Sequence, residues 1–247
     1  MNFYAYCLND EVTGEMIEGV AGVAGVPRVV RYGEIAAVVS RFEGESVEVT
    51  RENVFAHERV IGHVLTHTTP LPFRFGTVTS AARLESYVES QRESLRAQLA
   101  SVRGCVEMSV KVIWNAEAVH VEATGGASAG AGRDAPGDDE SGALEPGRGT
   151  AFLIAKRREI LGDERLKARA EEVAAWLSGR LGEAAREMNV NVRPVETPVV
   201  AAALLVERAR LEEYQERLRA ARRERADLHF LTSGPWPPYS FSLKTNS

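Results

Sequence analysis

The chain reads the same order of elements twice, and this repetition limits its fold more than any bulk property does. The order is strand, helix, hairpin, helix, strand. In the first half, "FYAYCLN" (Phe3 to Asn9) has strand character, and a weak helix is expected near Glu11 to Val20. "RVVRYGEIAAVVSRF" (Arg28 to Phe42) divides into two strands around Tyr32-Gly33-Glu34, a hairpin turn sequence. Thr50 can cap a helix to about Leu65. "PLPFRF" (Pro70 to Phe75) is then extended, and its prolines suit an edge or a strand start.

A helix from about Ala81 to Val102 follows, with Leu84, Val88, Leu95, Leu99 and Val102 on one stripe. The second half opens on "CVEMSVKVIW", whose strict alternation marks a half-buried strand. A long helix is expected from about Ala151 to Met188, with Gly162 and Gly182 as points of bending or breakage. "NVNVRPV" and "PVVAAALLV" form two strands turning at Glu196-Thr197-Pro198. A charged helix from about Glu207 to Arg225 and the strand "DLHFLTS" complete the pattern.

Two βαββαβ units joined by a helix predict an α+β chain with helices on one face of each antiparallel sheet. The C-terminal half is expected to be a ferredoxin-like sandwich and the N-terminal half a related α/β domain. The expected boundaries are residues 1–78, a connecting helix 79–102, and residues 103–247. Residues 123–149, rich in Gly, Ala, Ser and Asp, have too little apolar surface to offset their ordering entropy and are expected to be a flexible loop. One strand breaks the two-layer pattern. "VVAAALLV" (Val199 to Val206) is apolar on both sides, so its second face needs a cover: the other domain, the C-terminal tail or a partner.

Catalytic and metal chemistry find little support. His63 and His67 share a helical face, but "HVLTH" has Val64 where a metalloprotease helix carries its glutamate, and His57 points elsewhere. No Gly-x-Ser-x-Gly elbow occurs, and Cys7 and Cys105 lie in strands, consistent with buried reduced thiols. No phosphate loop ending in Gly-Lys-Ser/Thr is present. We therefore expect no enzyme activity, metal or cofactor. The formal net charge of -5 argues against nucleic-acid binding by bulk electrostatics. The basic runs "KRR" (Lys156 to Arg158) and "RLRAARRER" (Arg217 to Arg225) are interleaved with glutamates, as on a solvated helix. No apolar run is long enough to span a bilayer, and the N-terminus has no secretory leader, so a cytoplasmic protein is expected.

Two motifs remain. "PLPFRFG" sets Leu71, Phe73 and Phe75 against Pro72, Arg74 and Gly76; Arg74 is either incidental to a core strand or held out for a partner's carboxylate or backbone carbonyl. "GPWPPYSF" (Gly234 to Phe241) has three prolines that bias it to polyproline II. That conformation would put Trp236 and Tyr239 on one edge, docked onto the protein itself or onto a partner.

"HERVIGHVL", "PLPFRFGTV", "VEMSVKVIW", "GTAFLIAKRREI" and "GPWPPYSF", in this order, resemble the gas vesicle protein F/L family over nearly the whole chain. The resemblance implies two α/β domains, one ferredoxin-like. It also implies an accessory role without catalysis in gas vesicle assembly, in contact with the hydrophobic major shell protein and other accessory proteins, at the gas vesicle or in the cytoplasm. Neither nucleic-acid nor membrane binding is expected. The family positions it carries over are His57, Leu71, Pro72, Arg74, Phe75, Gly76, Lys156, Gly234, Pro235, Trp236, Pro237, Pro238, Tyr239, Ser240 and Phe241. The length of the Gly/Ala-rich loop departs from the family. A ferredoxin-like RNA-binding or regulatory module is the alternative reading.

Overall fold

The computed structural model describes residues 2–114, 148–193 and 199–242; the side chains of 114 and 148–163 lie outside that description. Most of the 123–149 loop and the Glu196-Thr197-Pro198 turn therefore fall outside the described residues.

The first half comprises β1 (Asn2–Asn9), β2 (Arg28–Tyr32), β3 (Ile35–Phe42), α1 (Arg51–His67), β4 (Leu71–Pro72), β5 (Val78–Ser80), α2 (Ala81–Ser90) and α3 (Arg92–Val102). Its five-stranded antiparallel sheet runs β2-β3-β1-β4, with β5 also on β1. The β2–β3 turn falls where expected, with Gly33 at φ 66°. Thr50 caps α1, its side chain accepting from the Asn53 amide at 3.2 Å.

Three expectations for this half need correction. The helix near Glu11 to Val20 shrinks to one 3-10 turn, Glu15–Ile17. Asn9 turns the chain instead: its Oδ1 accepts from the amides of Glu11 (2.7 Å) and Val12 (2.6 Å). Val12, Ile17 and Val20 then bury their side chains without helical periodicity. The Ala81–Val102 helix is two helices broken at Gln91, although its five stripe residues are all buried as expected. "PLPFRF" pairs in a sheet only at Leu71 and Pro72.

The layering also differs. β1 and β3 are buried nearly throughout because their sheet is covered twice. Val60, Ile61 and Val64 of α1 pack with Tyr4, Tyr6 and Val38 on one face. On the other, α2 and α3 pack Leu84, Val88, Leu95 and Leu99 onto Phe3, Ala5 and Val39. Each fully buried side chain of this size contributes about 1.5–3 kcal/mol.

The second half comprises β6 (Cys105–Trp114), α4 (Arg148–Leu181), β7 (Glu187–Val192), β8 (Val200–Glu207), α5 (Leu211–Glu224) and β9 (Leu228–Trp236). Its sheet is antiparallel throughout, in the order β7-β8-β6-β9. The helix passes through Gly162 but ends before Gly182, so β7 begins at Glu187, where helix was expected. β9 starts at Leu228 and ends three residues beyond "DLHFLTS". Only one face of this sheet is covered by helices: Val173, Leu177, Tyr214 and Leu218 pack on Val106, Val110, Leu204 and Val206.

The two halves share contacts. Leu205 of β8 belongs to the first half's core, and Leu65 of α1 to the second half's. Thr69 Oγ1 donates to the Cys105 carbonyl (2.8 Å), and Arg208 donates to the Leu65 carbonyl. The cover required by "VVAAALLV" is thus partial: the first half takes Leu205, while Ala201 and Ala203 stay half-exposed.

Candidate functional site

The two sequence motifs and His57 converge on one buried aromatic cluster. β1 places Tyr4 and Tyr6 on the α1 face of the sheet, and α1 aims His57 between them. His57 Nδ1 lies 2.9 Å from the Tyr4 hydroxyl, which accepts the Gly76 amide at 3.2 Å. The Phe75 ring stands edge-on to both His57 and Tyr4. Burial keeps the imidazole neutral, pulling its pKa down to about 4. The same burial pushes the Tyr4 phenol up to about 12. His57 is therefore part of the core, and among the described residues no three metal-ligating side chains come together.

The "LPFRFGT" motif is a rigid strap across β1. The Phe73 amide donates to the Tyr6 carbonyl (2.8 Å), and the Ala5 amide to the Thr77 carbonyl (2.9 Å). The turn between them is closed on the Arg74 carbonyl, which accepts from the Thr77 amide (3.2 Å) and hydroxyl (2.7 Å). Gly76 takes φ 85° there, a conformation that disfavours side chains. Leu71, Pro72 and Phe73 are buried, Phe75 is half-buried, and Arg74 is exposed at the tip. Phe75 does not share a face with Leu71 and Phe73: it joins the cluster on the opposite side of the sheet. The turn rotates the chain, so strand alternation stops at Phe73.

The C-terminal motif divides in two. Gly234 to Trp236 extend β9 along β6, and a bulge opposite Met108 puts Gly234 at φ 118°. A Cβ on Gly234 would lie 2.7 Å from the Glu107 carbonyl oxygen, so the backbones approach here as only glycine allows. Pro235 and Trp236 are exposed; the indole, 46% exposed, donates to Ser233 Oγ at 3.1 Å. Pro237 and Pro238 are buried. The chain then makes tight turns, the Tyr239 amide to the Pro237 carbonyl (2.7 Å) and the Phe241 amide to the Pro238 carbonyl (3.1 Å), where polyproline II was expected.

These turns clasp the two halves together. Ser240 donates through its amide and its hydroxyl to the two oxygens of Glu107 (2.7 and 2.8 Å), a nearly buried carboxylate on β6. The Tyr239 hydroxyl donates to Glu58 on α1 at 2.9 Å. Burial first, and the Glu58 carboxylate second, hold that phenol far above its ordinary pKa. Phe241 packs against the α2–α3 side of the first sheet. Trp236 and Tyr239 therefore do not share an edge: Tyr239 is latched inside the molecule and Trp236 is left out. Glu58 and Glu107, which anchor the tail, carry no mark in the sequence; Glu107 reads only as one of the polar positions of an alternating strand. Lys156 lies in α4, and its side chain falls outside the described residues.

The uncovered face of the second sheet is set by register. Rows Asn189-Ala203-Ser109-Ser233 and Asn191-Ala201-Lys111-Leu231 cross it, with Trp236 beside Glu107 at its end. Leu231, 57% exposed, and Trp236 are its exposed large apolar groups among the described residues, both on β9, whose outer edge no described strand pairs. The two central strands place Ser109, Lys111, Ala201 and Ala203 on this face, so neither offers a ring for a base to stack on as the central strands of sheet-based RNA readers do.

Comparison with known proteins gives a single picture. The family model "Gas vesicle synthesis protein GvpL/GvpF" matches residues 2–242. Gas vesicle protein L2 of Halobacterium salinarum is 27% identical over 268 residues, covering 97% of this chain and 90% of its own. Gas vesicle protein F1 of the same organism is 26% identical, covering 97% and 92%. The crystal structure of the gas vesicle protein GvpF from Anabaena sp. PCC7120 has a similar fold, with a TM-score of 0.77 at 18% identity, covering 99% of this chain and 97% of that one.

Proposed function

This chain belongs to the GvpL/GvpF family of gas vesicle synthesis proteins, and from that membership we propose that it is an assembly factor that binds the hydrophobic shell protein and other accessory proteins, nucleating or ordering the shell. The observation that carries this is the β9 border, where Leu231 and Trp236 are exposed beside a strand edge that no described strand pairs. A hydrophobic subunit needs its apolar surface and strand edges shielded before it joins a wall. An open strand edge flanked by apolar side chains offers both kinds of contact. We read the second half, with its order β6-α4-β7-β8-α5-β9, as a ferredoxin-like unit, residues 103–247. The first unit is residues 1–78 and the link residues 79–102. Its role is docking and not bond-making, carried out at the gas vesicle or in the cytoplasm. Among the described residues, no helix is long and apolar enough to cross a membrane.

Co-purification of the full chain with the shell protein of its gene cluster tests this. Wild-type chain should retain the shell protein, and Leu231→Glu with Trp236→Ala should lose most of it. Absence of any association, under conditions in which the complete cluster makes vesicles, would overturn the reading.

A further inference from the structure

On the other half of the molecule, the "LPFRFGT" strap and helix α2 enclose a cleft of about 380 Å³. Its floor is apolar: Pro72, Phe73, Leu84 and Tyr87. Arg74 and Arg83 also line it, and both are exposed. Among the described residues neither guanidinium has a carboxylate partner. Other arginines of the chain do have one. Arg92, Arg103, Arg180, Arg186, Arg210 and Arg225 all sit in ion pairs. The first turn of α2, where Arg83 lies, contains no acidic residue to balance it.

We propose that this cleft is a docking site for a protein segment carrying a carboxylate beside a large apolar side chain. The apolar group enters over Phe73, Leu84 and Tyr87, and the carboxylate is held by Arg74 and Arg83. The charge argument selects this occupant. The chain is acidic overall, at -5, so two unpaired guanidiniums at an apolar mouth attract an anionic group against the sign of the whole molecule. Arginine forks carboxylates bidentately and is weakly hydrated, so it suits a partly desolvated site. Preorganisation supports it further. The Arg74 carbonyl is closed by two hydrogen bonds from Thr77, so the tip does not need ordering when a partner arrives. The site lies on the first half, apart from the β9 border. The chain would then hold two partners at once, an apolar one on β9 and an acidic-apolar one in the cleft. This rests on the assembly role proposed above.

Site-specific photocrosslinking in cells that make vesicles decides the matter. Tyr87 is replaced by p-benzoylphenylalanine in the full chain, and the captured peptide is mapped by mass spectrometry. The expected product is a segment of another gas vesicle protein with Asp or Glu within two residues of an aromatic or branched apolar residue. Adding Arg74→Glu with Arg83→Glu should cut the yield by about tenfold or more. The same change should leave shell-protein retention through β9 and the thermal midpoint as they were. Absence of capture, capture of a segment without an acidic residue, or full capture by the charge-reversed chain would each overturn the cleft while the retained shell protein keeps the assembly role. Loss of both interactions in the wild-type chain would overturn the assembly role itself, and the cleft's occupant with it.

Discussion

The two sheets share a strand order and differ in what covers them. In the first, helices lie on both faces, and β1 and β3 are buried nearly throughout. In the second, α4 and α5 cover one face, and the other is left to alanine, serine, asparagine and the tail. One strand order thus carries a core closed on both faces in one half and a sheet with an open face in the other. The tail repeats the contrast within eight residues: Tyr239, Ser240 and Phe241 are fastened inward, while Trp236 faces out.

The contrast is testable by substitution on equivalent strands. Leu8→Ala, at a fully buried position of β1, should cost about 2–5 kcal/mol in chemical denaturation. Lys111→Ala on the open face should stay within about 0.5 kcal/mol. Equal effects would erase the distinction between the sheets.

The next largest effect is a pH dependence that arises at His57 in the first half. His57 is neutral when folded down to about pH 4, whereas an unfolded histidine takes up a proton near 6.5. Between those values the unfolded state binds more protons, so stability falls as pH drops through that window. The loss attributable to His57 approaches about 3 kcal/mol at its lower end. Denaturation of wild type and His57→Gln at pH 7.5 and 4.5 isolates it, because the acidic groups of both proteins titrate alike. A wild-type slope no steeper than the variant's would remove His57 from the account.

At the junction, Gly234→Ala meets both a positive φ and the Glu107 carbonyl, and should cost roughly 2 kcal/mol in the thermal or urea transition. A smaller effect belongs to Trp236→Ala. A buried tryptophan would cost about 3–5 kcal/mol; this exposed one should cost about 1 kcal/mol or less, while shell-protein retention drops. A large stability loss would mean that the indole belongs to the fold and not to a partner.

What could be read from the sequence is what repeats locally. The Gly33 hairpin, the Thr50 cap, the stripe on α2 and α3 and the two-sided apolar character of "VVAAALLV" all follow from periods of two or 3.6 residues and from turn chemistry. Local reading failed where another part of the chain set the conformation. The segment after Asn9 gave up its helix to a side-chain turn, itself held by the Asn9 amide donating to the Thr69 carbonyl sixty positions on. The prolines of the tail lost polyproline II to docking turns.

The amino-acid order alone determined which residues must be buried and which family the chain resembles. Only the tertiary structure decided what buries them: that Tyr239 meets Glu58 across 181 positions, that Ser240 meets Glu107 across 133, and that among the described residues Trp236 and Arg74 meet nothing comparable. Hydrophobic periodicity specifies a face but not its neighbour, because water is excluded equally well by any apolar cover. The choice of neighbour depends on strand register and on chain connectivity, and these are settled only when the whole sheet forms.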